Sequence, residues 1–199
     1  MCFHSKQTKK AKQIENRFKA KFEAIKSFTP TNHYNGFEFP KTPVITNEDE
    51  KTIQMMEWGL VPNWADTDWN RTYTLNARIE TINEKPSFKD SIDKRCIILV
   101  DGFYEWQHIG KQKVKYEIGF DNELFAFAGL FSENESNKSY SIITTEAKGI
   151  MREIHNTKLR MPIALKDDDE ISNWLNNNEV NPRFDFTAIT KDSFQQSLF

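Results

Sequence analysis

Cysteine is scarce in this chain of 199 residues, with only Cys2 and Cys96 present. Two cysteines make a poor disulfide framework, and Cys96 lies in the apolar run CIILV, where a buried thiol is expected. A reducing cytoplasm is the setting this usage points to. Long apolar runs are missing as well. Nothing approaches the ~18 residues of a membrane span, and the N-terminal stretch is polar and basic without an apolar signal region, so no membrane contact is expected. Charge of one sign is also lacking: 27 Lys and Arg stand against 29 Asp and Glu, a net charge of -2. That excludes wholesale coating of nucleic acid and confines any polyanion site to a local patch. Metal-binding spacing is absent, since Cys2, His4, His33 and Cys96 form no zinc pattern. Repeats and low-complexity linkers are absent too, and one mixed domain over residues 1–199 is expected.

Phenylalanine is what the chain has in quantity, 16 copies against 5 Trp and 5 Tyr, so an aromatic core is expected. In KQTKKAKQIENRFKAKFEAIKSF, apolar Ala11, Ile14, Phe18, Phe22 and Ile25 recur at steps of three or four, which predicts one amphipathic helix ended by Pro30. The stretch from Tyr34 to Met56 reads as loop and short strands, and KTIQMMEWGLVP as a strand turning at Pro62. A short helix is expected near Pro86 to Ile92. CIILVDGFYEW and KVKYEIGF read as strands joined around Gly110, with LFAFAGLF and SYSIITT as two more. EAKGIMREIH predicts a helix, RMPIALK an extended segment, and DDDEISNWL a short helix whose leading aspartates suit the helix dipole. Short strands with few helices between them predict an antiparallel-rich α+β fold.

Several polar residues sit in apolar surroundings. Glu105, in VDGFYEWQ, is flanked by Tyr104 and Trp106; a half-exposed strand position is the commoner reading of such a residue, while in an apolar cleft its pKa would rise into the range for general acid/base work. His155 ends its predicted helix, where capping alone would account for it. Asn76 and Arg78 share the strand face opposite Ala77, a pair suited to an anionic or amide-bearing ligand but also common on surfaces. Cys2 directly follows Met1. Removing that methionine would leave an amine and a thiol on adjacent carbons, a pair no internal cysteine has.

The ordered run WGLVPNW, NARIET, DGFYEW, FAFAGL, IITTEA and IHNTKLRMP, with cysteine at position 2, resembles the SOS-response-associated peptidase family across roughly Met1 to Leu165. That family includes sensors of abasic sites in single-stranded DNA. The resemblance implies a curved, barrel-like β core flanked by helices, self-removal of the leading residue, and covalent capture of an abasic site by the exposed Cys2. It further implies Cys2 as nucleophile, Asn76 near the reacting sugar, and Glu105 and His155 as the acid/base pair. Arg78 and Arg160 fall on phosphate-contacting positions and Trp106 on a DNA-facing aromatic, with Trp64 a further stacking candidate and Pro40 the counterpart of a family proline. A monomer that uses no cofactor and no metal is expected. Phe3 and His4 stand where the family commonly has Gly-Arg, and NTKL between His155 and Arg160 is longer than common. Two other readings of the same residues are a thiol peptidase acting on other proteins and a noncatalytic single-strand-binding module.

Overall fold

A computed structural model describes residues 2–66, 68–134 and 137–190. In chain order these form β1 (His4–Gln7), α1 (Ala11–Phe18), β2 (Lys21–Phe22), β3 (Thr31–Asn35), β4 (Lys41–Thr46), β5 (Thr52–Trp58), β6 (Asn76–Arg78), α2 (Pro86–Lys89) and β7 (Arg95–Val100). They continue with β8 (Gly102–Ile109), β9 (Gln112–Gly119), β10 (Phe125–Asn134), β11 (Asn137–Glu146), α3 (Ile150–Ile154), β12 (Arg160–Pro162), β13 (Ala164–Leu165), α4 (Asp168–Leu175) and β14 (Thr187–Thr190).

The strands make two sheets. One is nine-stranded and runs β12-β11-β10-β7-β4-β5-β2, with β13 on β10 and β6 on β11. A parallel pairing of β11 with β5, Tyr140 opposite Trp58, closes β11-β10-β7-β4-β5 into a barrel. Inside it Trp58 is fully buried, stacks on Tyr140 with 6.2 Å between centroids, and donates its indole N–H to the Leu75 carbonyl at 2.9 Å. Gly129 is required where the strands converge, because a Cβ there would stand 2.5 Å from the Ile98 Cδ1 and 2.9 Å from the Ser141 carbonyl. The second sheet, β14-β9-β8-β1-β3, is five-stranded. Phenylalanines fill the layer between the two: Phe103 and Phe125 each meet Phe127 edge-on, at 5.5 and 5.4 Å. Such pairs add about 0.5–1.5 kcal/mol beyond the area they bury. The expected α+β, barrel-like fold is the one observed, and Cys96 is a fully buried free thiol as expected. Among the described residues no helix is long and apolar enough to cross a membrane.

Three expectations are corrected. The first helix is only Ala11–Phe18. Lys19 turns left-handed at φ 53, and Lys21–Phe22 then pairs parallel with Thr52 and Ile53. The Phe22 amide donates to the Glu15 carboxylate at 3.3 Å, and Phe22 stacks on Phe28. Phe22 therefore keeps the apolar rhythm for a reason other than helix, because it fills the core from a strand. The segment CIILVDGFYEW is not one strand either, since β7 belongs to the barrel and β8 to the second sheet. The break is Asp101, whose buried carboxylate accepts from the Thr8 amide at 3.0 Å and from the Thr8 hydroxyl. Gly102 lets the strands cross closely: a Cβ there would meet the Lys6 Cε at 2.5 Å. Finally, the third helix begins only at Ile150, because Gly149 at φ 53 turns the chain into it. The fourth helix starts as its acidic run predicts, with an Asp167–Glu170 capping box.

Candidate active site

The N-terminal segment is an inner strand of the second sheet. In β1, Ser5 lies opposite Phe103 of β8 on one side and Tyr34 of β3 on the other. Threading the terminus between two strands places the residue before it inside the molecule, and Cys2 is fully buried. The Phe3 carbonyl accepts from the Gly36 amide at 2.8 Å, and the Cys2 carbonyl accepts from Asn76 Nδ2 at 2.9 Å. Asn76 comes from β6, which lies parallel to β11 with Asn76 opposite Ile142. Its other amide atom, Oδ1, is buried with no hydrogen-bond partner among the described residues. An orphaned acceptor beside the terminus is a group awaiting a ligand or a water.

Glu105 reaches the same place from β8, where it is paired with Tyr116 of β9. His155 arrives from the end of α3, its amide donating to the Met151 carbonyl at 2.9 Å. The His155 Nε2 and Glu105 Oε2 are 3.9 Å apart, and both residues are 7% exposed. Burial pushes the Glu105 carboxyl up to about 7 and the His155 imidazole down to about 4. The ordinary order of a carboxylate and an imidazole is thereby inverted. Around neutral pH the imidazole is a neutral base, while the carboxyl exchanges its proton. Burial also pushes the Cys2 thiol far up, and the Glu105 charge acts in the same direction. The His155 ring is held by the Arg160 backbone: Nδ1 lies 2.8 Å from the Arg160 carbonyl and 3.1 Å from its amide nitrogen. One partner takes a proton and the other gives one, so either neutral tautomer is satisfied.

Cys2, Asn76, Glu105 and His155 are thus brought together from four separate segments. Glu105 and His155 open onto a recess of about 440 Å³ that is also lined by Phe3, His4, Trp106 and His108. Of the two arginines singled out in the sequence, Arg78 is exposed. Arg160 is not presented to solvent: it makes a bidentate pair with Glu80 at 2.8 Å on both arms and donates to the Thr144 carbonyl at 2.7 Å. Trp106 lines the recess, whereas Pro40 and Trp64 do not. Trp64 is half exposed and meets Trp69 edge-on at 5.2 Å. Met1, whose removal the resemblance implies, lies outside the described residues. Sequence reading passed over the basic side of the recess. The signal was present as alternation across the β8–β9 hairpin, where Trp106 faces Lys115 and His108 faces Lys113.

Comparison with known proteins comes down on one family. A model described as SOS response associated peptidase (SRAP) matches residues 1–197. The chain is 39% identical over 149 residues to the abasic site processing protein YoqW of Bacillus subtilis (strain 168), covering 71% of this chain and 65% of that protein. It is 32% identical over 163 residues to the abasic site processing protein HMCES of Xenopus tropicalis, covering 67% of this chain and 48% of that one. The chain therefore spans less than two thirds of the length of these relatives. Among solved structures, a protein from Bacteroides thetaiotaomicron superposes with a TM-score of 0.84 at 32% identity, covering 96% of this chain and 93% of that one.

Proposed function

The chain belongs to the SOS response associated peptidase family, and from that premise we propose that it captures abasic sites in single-stranded DNA covalently, through a Cys2 freed by self-removal of Met1. The observation that carries the reading is the convergence of the Cys2 backbone, held by Asn76, with a carboxyl–imidazole pair of inverted proton affinity. The names of the relatives, abasic site processing proteins, support the same substrate class.

The chemistry follows from these groups. An abasic deoxyribose in its open form carries an aldehyde at C1′. Neutral His155 takes the proton of the C1′ hydroxyl and passes it to the ring oxygen O4′ as the C1′–O4′ bond breaks and the sugar ring opens. The Cys2 amine adds to the aldehyde carbon, one of its protons passes to the aldehyde oxygen, and Glu105 in its acid form protonates the hydroxyl so formed, releasing water and leaving a protonated imine. The thiol then adds to the same carbon. Its proton passes to the Glu105 carboxylate, restoring the acid, the C=N electron pair returns to nitrogen, and a five-membered thiazolidine is closed. A thiol held protonated by burial suits this last step, in which it loses its proton only as the carbon–sulfur bond forms. It suits a thiol peptidase acting on other proteins poorly, since that nucleophile works as a thiolate.

The direct test is incubation of purified protein with abasic single-stranded DNA, followed by a denaturing gel. A denaturant-resistant band with the abasic strand and none with the intact strand is expected; a band of equal strength with both would overturn the reading. Arg78, exposed beside the strand that carries Asn76, is assigned to the DNA backbone. Arg78→Ala is expected to weaken binding of intact single strands and to reduce the slope of log affinity against log salt by about 0.7, the value for one lost phosphate contact. A salt titration by fluorescence anisotropy measures this, and an unchanged slope removes Arg78 from the interface.

A further inference from the structure

We propose that His4 and His33, with Lys115 beside them, form a phosphodiester-binding subsite at the rim of the recess, and that filling it is coupled to uptake of one proton by the imidazole pair. The proposal rests on the capture reading only in that a DNA strand entering the recess supplies the phosphate.

The two histidines meet because β1 and β3 are antiparallel. His4 lies opposite Asn35, so His33, two residues along β3, is its diagonal neighbour on the same face. His4 Nδ1 and His33 Nε2 are 2.9 Å apart, and the rings stack with centroids 5.0 Å apart. Two imidazole nitrogens at that distance share one hydrogen, so the neutral pair holds that hydrogen and one more on an outer nitrogen, and a further proton on the remaining outer nitrogen makes it singly charged. His4 also sets its ring edge-on to Trp106 at 4.8 Å, beside the recess that both residues line. The Lys115 ammonium lies 4.2 Å from the Tyr104 ring centre and 5.5 Å from that of Trp106.

The charges acting on the pair come from two sides. Lys115, from β9, opposes protonation of both rings, while Glu38, in the turn after β3, favours it. Among the described residues no carboxylate hydrogen-bonds to either imidazole, and Glu38 Oε1 instead accepts from Asn35 Nδ2 at 3.0 Å. Burial, with Lys115 acting in the same sense, holds His4 down at about 4 and lowers His33, so the unliganded pair is neutral at pH 7. A phosphodiester carries a permanent negative charge. Set against the pair and Lys115, it offsets the burial and the Lys115 charge that keep the further proton away. Affinity then rises as pH falls, and the proton is taken from the buffer.

The test is calorimetric binding of an intact oligo-dT strand, carried out in the Glu105→Gln background so that the carboxyl raised to about 7 is silent. Measurements at pH 6 in buffers of different ionisation enthalpy count the protons taken up. Uptake approaching one proton per complex is expected, with affinity rising by about tenfold from pH 7.5 to pH 5.5. His33→Gln should abolish the uptake and the pH-dependent gain. His33→Arg, which supplies a permanent charge, should bind well at both pH values without uptake and guards against reading misfolding as loss of the site. Competition by inorganic phosphate identifies the recognised group as the phosphate and not the base. Absence of uptake, uptake unchanged in His33→Gln, or no competition by phosphate overturns the proposal. Abasic-strand crosslinking by the unaltered protein is scored separately. If crosslinking fails while His33-dependent uptake persists, the capture reading falls and the subsite stands.

Discussion

Glu105→Gln is expected to slow crosslinking of abasic single-stranded DNA by about 10²–10⁴-fold, the range contributed by a positioned acid/base group. The same substitution is expected to stabilise the folded protein above neutral pH. Both effects have one cause, a carboxyl held in an apolar site at 7% exposure. Its pKa stands at about 7 in the fold against an ordinary value of 4.5. Below pH 4.5 the group is protonated whether the chain is folded or not, and its burial then costs little. As pH rises from 4.5 to about 7 the unfolded chain releases the proton and the folded one keeps it, so stability falls. Above about 7 the fold carries a buried carboxylate, and the loss reaches a plateau of up to about 3 kcal/mol. Glutamine has no proton to lose. Urea unfolding should find Glu105→Gln more stable than the unaltered protein at pH 8 and equal to it at pH 4. Equal stability at both pH values would show that the carboxyl is not raised. The pH profile of single-turnover crosslinking supplies a second check. Its acid limb belongs to the Cys2 amine, ordinarily near 7.7–8.0, and its alkaline limb to Glu105 losing the proton it donates. The maximum therefore lies near neutrality, and Glu105→Gln retains the acid limb and lacks the alkaline one.

Blocking the N-terminus is expected to abolish the stable crosslink altogether. A protein that retains Met1, or carries a tag before Cys2, has its reactive nitrogen tied up in an amide, whose lone pair is delocalised and cannot form an imine. Its thiol is unaltered, and titration in denaturant should count it in full. Cys2→Ser keeps the amine and loses the sulfur, and its hydroxyl closes the ring less favourably than a thiol does. That variant is expected to yield an adduct only when borohydride reduces the imine. A thiol peptidase predicts another pattern, since acyl transfer needs the sulfur and a base and has no use for the amine. The measurement is a denaturing gel of processed, Met1-blocked and Cys2→Ser proteins with abasic single strands, with and without borohydride. A stable crosslink from the Met1-blocked form would refute the amine–thiol mechanism.

Much of this architecture was legible in the residues alone. The ordered motifs from WGLVPNW to IHNTKLRMP identified the family; LFAFAGLF read as a strand because burial on both faces leaves a continuous apolar signature, and SYSIITT because it is rich in β-branched and aromatic residues. The acidic start of DDDEISNWL read as a helix N-terminus, since its capping groups are neighbours in sequence. The rest depended on residues far apart in the chain. The first helix stops at Phe18 because an edge of the barrel takes Lys21–Phe22 as a strand, an outcome set by β5 about thirty residues later and invisible to periodicity. DGFYEW leaves the barrel because Asp101 is pinned by Thr8 and Gly102 passes close to Lys6. Arg160 is recognisable as a cation from sequence, but its bidentate pairing with Glu80, eighty residues away, is not. The inverted proton affinities of Glu105 and His155 belong to neither residue by type. They come from desolvation, which only the assembled cleft imposes. The candidate residues could therefore be named from the sequence, while the proton affinities and partners they have in the fold were decided by packing, because the electrostatics of a site depend on distance in space and not on separation along the chain.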